Sequence, residues 1–215
     1  MDEREAWIRL IGRDEAEGRL RATYDRIAGA DGHVDRVLRL HGLRPHTLDA
    51  HLALYRATLH HPANRLPRWF LELIGVAVSD WNGCAYCVAH HRAGLEGIVG
   101  APLAAQLIGA AASPAPAAEQ TSIAAGEALA GGDRLAAALQ AALSYARALT
   151  LTPAGMRADD VEELRAAGLD DGEVLEINQV VGYFNYVNRA VLGLGVSHVG
   201  ERLGLASVAA SDGST

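Results

Sequence analysis

Apolar residues recur along this chain at intervals of three and four positions, the pattern that lines one face of an α-helix. The most regular stripe runs through Leu135, Leu139, Leu143, Ala146 and Leu149. No segment shows the alternation of apolar and polar residues, bounded by turns, that is typical of a β-strand. The pattern therefore predicts an all-α protein, a helical bundle formed by a single domain.

Turn-forming and capping residues divide this pattern into separate helices. A proline-containing stretch, 111–118, predicts a linker between two halves of the chain, and the small polar residues 206–215 predict a disordered tail. One helical domain is therefore expected over 1–205. The predicted helices cover residues 14–28, 34–40, 47–59, 67–81, 83–98, 121–130, 133–151, 157–167 and 170–194, with a short alanine-rich helix after Pro102 and Asp133 and Asp170 as caps.

Both cysteines of the chain, Cys84 and Cys87, lie between two of these helices, near the start of the second one. Asn82 is a plausible N-cap for that helix. Cys84, Cys87 and His91 stand at positions i, i+3 and i+7, which share one helical face. Because a helix N-terminus lowers the pKa of a thiol, the spacing predicts a reactive dithiol that can close into a disulfide.

Two further side chains supply acid–base chemistry beside this dithiol. His91 lies one turn after Cys87 and can accept its proton. Glu72, on the preceding helix, can orient the imidazole or relay the proton, although it could instead simply reach solvent. His90 is rotated by about 100° from His91, so we expect it behind the site or at the surface.

The cysteine pair also has two interpretations without catalysis. The thiols can be small core residues. Alternatively, Cys84, Cys87 and His91 can bind structural zinc with a fourth histidine, although structural zinc sites usually contain a second ligand pair. The candidates for that fourth ligand are His41, His46, His51, His60, His61 and His90. The first five form a histidine-rich run that is expected mainly in surface or turn positions, although one of them could help line the pocket.

Composition and charge exclude several other classes of function. The formal net charge is −7, without the basic patch expected for nucleic-acid binding. No lysine occurs among the 19 basic residues, which excludes a lysine Schiff base. No apolar run approaches the roughly 18 residues of a membrane span. Two cysteines in one CxxC motif, without a signal-peptide pattern, predict a cytoplasmic protein.

The arrangement Glu-x11-Cys-x2-Cys-x3-His, formed by Glu72, Cys84, Cys87 and His91, resembles the signature of the alkylhydroperoxidase D-like branch of the carboxymuconolactone decarboxylase family. The segments 79–91, 164–171 and 183–189 also look like that branch, and in particular like its peroxidase-related proteins. The resemblance extends over about residues 15–200 and implies the all-α alkylhydroperoxidase D-like fold with the CxxC motif at a helix N-terminus.

The resemblance implies a role for each residue of the signature. Cys87 would attack the peroxide, Cys84 would resolve the sulfenic acid as a disulfide, and His91 with Glu72 would form the proton relay. The best-known relatives carry a second histidine immediately before the second cysteine, where this chain has Tyr86. The relay would therefore be shorter or would use the Tyr86 phenol, with His90 as a further accessory residue.

The function implied is a thiol-dependent hydroperoxide reductase that needs no haem, flavin or metal cofactor. An external dithiol carrier or reductase would reset the disulfide, and the chain would assemble as a homo-oligomer, a trimer or hexamer. Two alternatives remain open. One is decarboxylase-type chemistry on a lactone, although the decarboxylases of the parent family lack the cysteine pair. The other is a non-catalytic helical protein with a Cys/His zinc site.

Overall fold

A computed structural model of the chain describes residues 4–29, 31–112 and 132–204. Within these ranges the protein is built from helices, with no β-strand, which confirms the predicted all-α class. The helices are α1 (Gly18–Ile27), α2 (Arg36–Arg39), α3 (Pro45–Tyr55), α4 (Arg68–Trp81), α5 (Ala85–Val99), α6 (Ala101–Ala112), α7 (Gly132–Leu151), α8 (Ala158–Ala166) and α9 (Asp171–Gly193), with a π-helical turn at Arg56–His60 and a 3-10 turn at Pro153–Gly155.

Helix α4 forms the centre of the bundle and packs against α5, α9, α7 and α6. Its residues 69–79 are all buried, and Phe70, Leu71, Leu73 and Ile74 have no exposed surface. A helix that is apolar on every side is a core helix rather than a surface one. The polar side chains within this buried stretch, Glu72 and Ser79, are therefore held inside the protein.

The crossing of α4 and α9 depends on a glycine. A Cβ added to Gly75 would lie 2.2 Å from two ring atoms of Phe184, a buried residue of α9. We expect Gly75→Ala to lower the free energy of unfolding by about 1–3 kcal/mol or more, because a packed core cannot absorb the extra volume. Urea unfolding followed by circular dichroism measures this change.

Gly97 is the matched control for this prediction. It is an exposed glycine of α5, and a Cβ at this position meets no atom within 4 Å. Gly97→Ala should raise the free energy of unfolding by about 0.5–1 kcal/mol through helix propensity alone. Equal stability of Gly75→Ala and Gly97→Ala would show that the close α4–α9 crossing is wrong.

Several predicted boundaries are wrong by a few residues. Helix α1 begins at Gly18 rather than at residue 14, and Asp133 lies inside α7 rather than before it. Helix α3 begins at Pro45 rather than at residue 47, because proline suits the first helical position, where its missing N–H costs nothing. Asp170 does cap α9, which continues without a break to Gly193.

Some predictions fall on residues outside the described ranges. Residues 111–112 of the proposed linker belong to α6, whereas 113–118, the helix at 121–130 and the tail at 206–215 are not described. The single-domain organisation over 1–205 therefore stays a prediction. Among the described helices, none combines the length and apolar character that crossing a lipid bilayer would require.

Candidate functional site

A tight turn between α4 and α5 places the dithiol. Gly83 adopts a positive φ of 68°, which a glycine takes without strain, and its N–H donates to the Asp80 carbonyl at 2.8 Å. Cys84 N donates to the Ser79 carbonyl at 2.8 Å, so α4 is closed before α5 begins. The predicted N-cap is therefore wrong: Asn82 is the C-cap of α4, and Cys84 is the N-cap of α5.

Both cysteines are free thiols, and both are buried. Cys84 has no exposed surface, whereas Cys87, inside the first turn of α5, is 3% exposed. Cys87 lines a cavity that lies between α3, α5, α9 and the start of α2, and Cys84 is not part of that lining. A small molecule in the cavity would meet Cys87 first.

The two thiols titrate as a pair. A hydrogen bond from the Cys87 side chain lowers the pKa of Cys84, whereas burial raises it. The backbone N–H groups of Cys87 and Tyr86 lower the pKa further, so the net shift is downward. The same hydrogen bond between the two side chains, with burial, raises the pKa of Cys87. The two thiols therefore share one charge through this hydrogen bond, and Cys87 is the thiol that faces the cavity.

Asn188, from the distant helix α9, completes the environment of the dithiol. Its side chain is fully buried, donates to the Ser79 hydroxyl at 3.1 Å and accepts from the Asn82 amide at 3.0 Å. Hydrogen bonding by Asn188 lowers the pKa of both Cys84 and Cys87. The sequence analysis missed this residue.

We expect Asn188→Ala to raise the pKa of the thiol pair, because the variant removes a hydrogen bond that stabilises the thiolate. The rate of alkylation by iodoacetamide, measured against pH, reports the thiolate fraction. Asn178→Ala is the matched control, since Asn178 lies on the same helix and donates to the Tyr145 hydroxyl at 2.8 Å. Identical alkylation profiles for the wild-type protein and Asn188→Ala would contradict the assignment.

Glu72 and His91 form a buried pair beside the thiols. Glu72 Oε2 lies 2.7 Å from His91 Nδ1, and the two residues are 1% and 5% exposed. Arg68 Nε is 3.5 Å from the other carboxylate oxygen. The structure thus brings this predicted pair together, and the alternative in which Glu72 reaches solvent is wrong.

The negative charge of Glu72 determines which ring nitrogen of His91 carries the proton. Burial alone raises the pKa of Glu72, but the charge and hydrogen bond of His91, with Arg68 and His60, lower it further than burial raises it. Glu72 is therefore a carboxylate that accepts the Nδ1 proton of His91. In a neutral imidazole this arrangement leaves Nε2 as the atom that can accept a proton.

The cavity at Cys87 is narrow and mainly aromatic. The space open to the centre of a water molecule is about 20 Å³, which suffices for roughly one water-sized group. Tyr183, from α9, was not predicted as a lining residue, whereas His51, from α3, belongs to the histidine run in which one member could line the pocket. The lining residues are Val37, Leu38, His51, Tyr55, Tyr86, Cys87, His90, His91, Tyr183 and Val187.

The titratable groups of the cavity are mostly neutral. Burial, with the nearby His41, lowers the pKa of His51 to about 3. Burial also raises the pKa of the Tyr55 and Tyr183 phenols well above their ordinary value. Within the histidine run, His51 is buried, so the surface or turn position is wrong for this residue. Its side chain lies on the side of α3 that faces α9, and its ring centroid is 5.8 Å from that of Tyr183.

The two accessory residues, Tyr86 and His90, both line the cavity. Their rings stack with centroids 4.5 Å apart, and the Val37 N–H donates to the Tyr86 hydroxyl at 3.1 Å. Burial, reinforced by the charge of Glu201, raises the pKa of Tyr86, so the phenol stays protonated. His90 is only 2% exposed, so of the two positions expected for it, behind the site or at the surface, the surface one is wrong.

The zinc alternative at the cysteines lacks the required geometry. Three ligands of one metal ion must lie within a few ångströms of one another. Among the residues described in the structure, Cys84, Cys87 and His91 do not form a group with ligand atoms mutually within 4.8 Å. These three predicted zinc ligands therefore do not converge on one point in the described part of the chain.

Comparison with known proteins finds similarity only at the level of structure. No model of a known protein family matches the sequence, and no curated protein does so either. A solved structure from Ralstonia eutropha, an uncharacterized peroxidase-related protein with an alkylhydroperoxidase AhpD core, superimposes with a TM-score of 0.71 at 21% identity. The match covers 91% of this chain and 93% of that one.

Two further solved structures extend this comparison. An uncharacterized peroxidase-related protein from a Silicibacter species gives a TM-score of 0.71 at 22% identity, over 91% of this chain and 92% of that one. The debrominase Bmp8, in complex with 2,3,4-tribromopyrrole, gives 0.59 at 16% identity, over 83% and 82%. The chain therefore has the alkylhydroperoxidase D-like fold, as predicted, and peroxidase-related proteins share this fold.

Proposed function

We propose that the protein is a thiol-dependent hydroperoxide reductase that uses Cys87 and Cys84 as a redox-active dithiol. The observation that carries the proposal is the convergence on one small cavity of Cys87 and the buried His91–Glu72 pair. A nucleophile, a base with a free ring nitrogen and an orienting carboxylate are the parts that activated-thiol chemistry needs.

The proposed reaction begins with proton transfer from Cys87 to His91 Nε2 or to the Cys84 thiolate. The Cys87 thiolate attacks the terminal oxygen of the hydroperoxide, the O–O bond breaks, and the leaving alkoxide takes a proton and departs as alcohol. Cys84 then attacks the Cys87 sulfenic acid, which releases water and forms the disulfide. Two electrons have passed from the dithiol to the peroxide, and an external dithiol or reductase returns them by exchange.

The size and polarity of the cavity favour this chemistry over two alternatives. A space for roughly one water-sized group fits hydrogen peroxide or the head of an alkyl hydroperoxide. A tribrominated pyrrole, the ligand of the debrominase that shares the fold, would require the cavity to widen. The described lining contains no arginine to bind the carboxylate of a lactone substrate of decarboxylase type.

We also propose a homo-oligomer, a trimer or hexamer, in the cytoplasm. Exposed apolar side chains on α9 support this assembly, since Leu175 and Tyr186, which are 57% and 45% exposed, share one face of that helix. Neighbouring exposed apolar groups, unlike scattered ones, are typical of surfaces that pack against another subunit. Light scattering coupled to gel filtration measures the mass, and a monomer at micromolar concentration would contradict the proposal.

One equivalent of hydrogen peroxide is expected to remove both free thiols of each chain and to lower its mass by about 2 Da, because two thiols become one disulfide. Thiol titration and intact-protein mass spectrometry measure these changes. Parallel reactions with a bulky alkyl hydroperoxide and with 2,3,4-tribromopyrrole compare the substrate classes. Persistence of both thiols in every reaction would exclude the redox function, and bromide release without peroxide reduction would favour the debrominase chemistry.

A further inference from the structure

A second cluster of titratable side chains lies behind the cavity, where the loop before α2 meets the chain after α9. His33 Nε2 is 3.2 Å from Asp35 Oδ1 and 3.9 Å from Glu201 Oε1. One ligand atom from each of these three residues lies within 4.8 Å of the other two. The proposed peroxide chemistry does not use this cluster.

The two carboxylates of the cluster are buried, and its inner edge contains polar atoms without hydrogen bonds. The Asp35 and Glu201 side chains are only 2% and 1% exposed. Glu201 Oε1 accepts from the Arg36 backbone N–H at 2.6 Å, but Glu201 Oε2 has no hydrogen-bond partner. Neither ring nitrogen of the buried His90 has one either, and His90 Nε2 lies 3.6 Å from Glu201 Oε2.

These separations fit donor atoms that share one metal ion. Two tetrahedral zinc ligands, each about 2.0–2.2 Å from the ion, lie roughly 3.3–3.6 Å from each other. The His90–Glu201 separation of 3.6 Å and the His33–Asp35 separation of 3.2 Å are close to this range. Two carboxylates and two imidazoles are donors that divalent first-row transition metals accept.

Charge and access are also suited to a cation. The Arg36 guanidinium binds Glu5 and the carbonyls of Ser197 and Val199, and it is the Arg36 backbone N–H that binds Glu201. A dication would balance negative charge of the Asp35 and Glu201 carboxylates without protonation of either histidine. The His33 side chain is 36% exposed, which gives an ion a route from solvent.

We propose that His33, Asp35 and Glu201 bind a divalent transition-metal ion of the zinc type, and that His90, which lies outside this group but 3.6 Å from Glu201, becomes the fourth ligand by a side-chain movement. The site joins the loop before α2 to the segment after α9 and is separate from the dithiol. Because His90 also lines the Cys87 cavity and stacks on Tyr86, the ion would fix one wall of that cavity. The proposal does not depend on the peroxidase activity.

Titration of the chelator-treated full chain with Co²⁺ and Zn²⁺ tests this site. We expect one Co²⁺ per chain with visible absorption bands and without the near-ultraviolet thiolate-to-metal band that cysteine ligation gives. Calorimetry should show that His33→Ala and Glu201→Gln each weaken Zn²⁺ binding at least about tenfold. His46→Ala, which removes an exposed histidine of α3, should leave the affinity unchanged.

The double variant Cys84→Ser/Cys87→Ser separates this site from metal binding by the thiols. It should bind Co²⁺ and Zn²⁺ as tightly as the wild-type chain, and Zn²⁺ should raise the melting temperature of both proteins. Because the His33 side chain is partly exposed, we expect the His33→Ala variant to fold, and circular dichroism verifies this. Asp35→Asn provides a second variant of the site. No binding to the wild-type chain, binding lost with the cysteines, or unchanged affinity in the His33, Asp35 and Glu201 variants would overturn the proposal.

Discussion

Cys87→Ser is expected to abolish the reaction with hydroperoxide, because Cys87 is the thiol that lines the cavity. A serine hydroxyl in the same position is not ionised near neutral pH and is a poor nucleophile toward an O–O bond. Single-turnover measurements should therefore show no loss of peroxide, and the Cys84 thiol should remain free. The result separates access to the cavity from thiol acidity, because the pKa is lowered at Cys84, which does not line the cavity.

Cys84→Ser is the matched control for this prediction. It should react with one equivalent of peroxide at Cys87 and then stop, with a mass increase of about 16 Da for a sulfenic acid or 32 Da for a sulfinic acid. If Cys87→Ser forms the sulfenic acid and Cys84→Ser is inert, the roles of the two cysteines are reversed. That outcome would show that the pKa of the thiol, rather than access to the cavity, selects the nucleophile.

The Glu72–His91 contact could be predicted from sequence because its determinants are local. Both residues lie on consecutive helices joined by a short turn, and two such helices pack side by side along their length. The apolar pattern of α4 is continuous around Glu72, so a charged residue there needed a buried partner. His91 lies on the same face of α5 as the cysteines, at a level along the helix pair where it can contact Glu72.

The N-cap of α5 was harder to predict, because either Asn82 or Gly83 can end α4 and so set where α5 begins. Asn82 is a good N-cap, but Gly83 takes the positive φ that closes α4, and this shifts the start of α5 to Cys84. The shift matters chemically. It makes Cys84 the capping residue, next to the free N–H groups of the helix, and places Cys87 within the first turn.

The other residues of the site depend on contacts across the chain that no local pattern reveals. Asn188 is 109 residues from Ser79, to which it donates. His51 and Tyr183 reach the same cavity from α3 and α9. Their positions follow from how the helices pack, and a single sequence gives only the apolar face of each helix.

The position of His90 shows where the helical-face argument fails. A rotation of about 100° from His91 implies a surface position only if α5 buries one face. Helix α5 packs against α4 and α6 and also contacts the start of α2, where the Tyr86 hydroxyl meets Val37. More than one face is therefore buried, and His90 reaches Glu201 rather than solvent.

Loss of the relay is expected to slow peroxide attack by about 10²–10⁴-fold, the usual contribution of general-base assistance. His91→Ala should give an effect in this range and raise the apparent pKa of the attacking thiol. Glu72→Gln should have a smaller effect, because the amide can still hold the ring although it no longer stabilises a charged imidazole. Single-turnover rates across pH measure both variants.

A stability effect must be separated from the kinetic one, because His91→Ala leaves the buried Glu72 with Arg68, at 3.5 Å, and His60 as the remaining groups that lower its pKa. Removing one partner of a buried charged pair commonly costs about 3–5 kcal/mol. His91→Gln can still donate a hydrogen bond to Glu72 but cannot accept a proton, so it should fold well and remain slow. Glu96→Gln, on the outer part of α5, is the control for loss of a carboxylate.

The pH dependence and the double variant decide whether Glu72 and His91 act together. Because the pKa of Glu72 is lowered from its ordinary value of 4.5, its carboxylate persists at neutral pH, and the relay should fail only as acid protonates it. The double variant His91→Ala/Glu72→Gln should be little slower than His91→Ala, since residues that act as a unit are not additive. Wild-type rates and pH profiles in His91→Gln and Glu72→Gln would mean that the pair is structural and that the helix N-terminus alone activates Cys87.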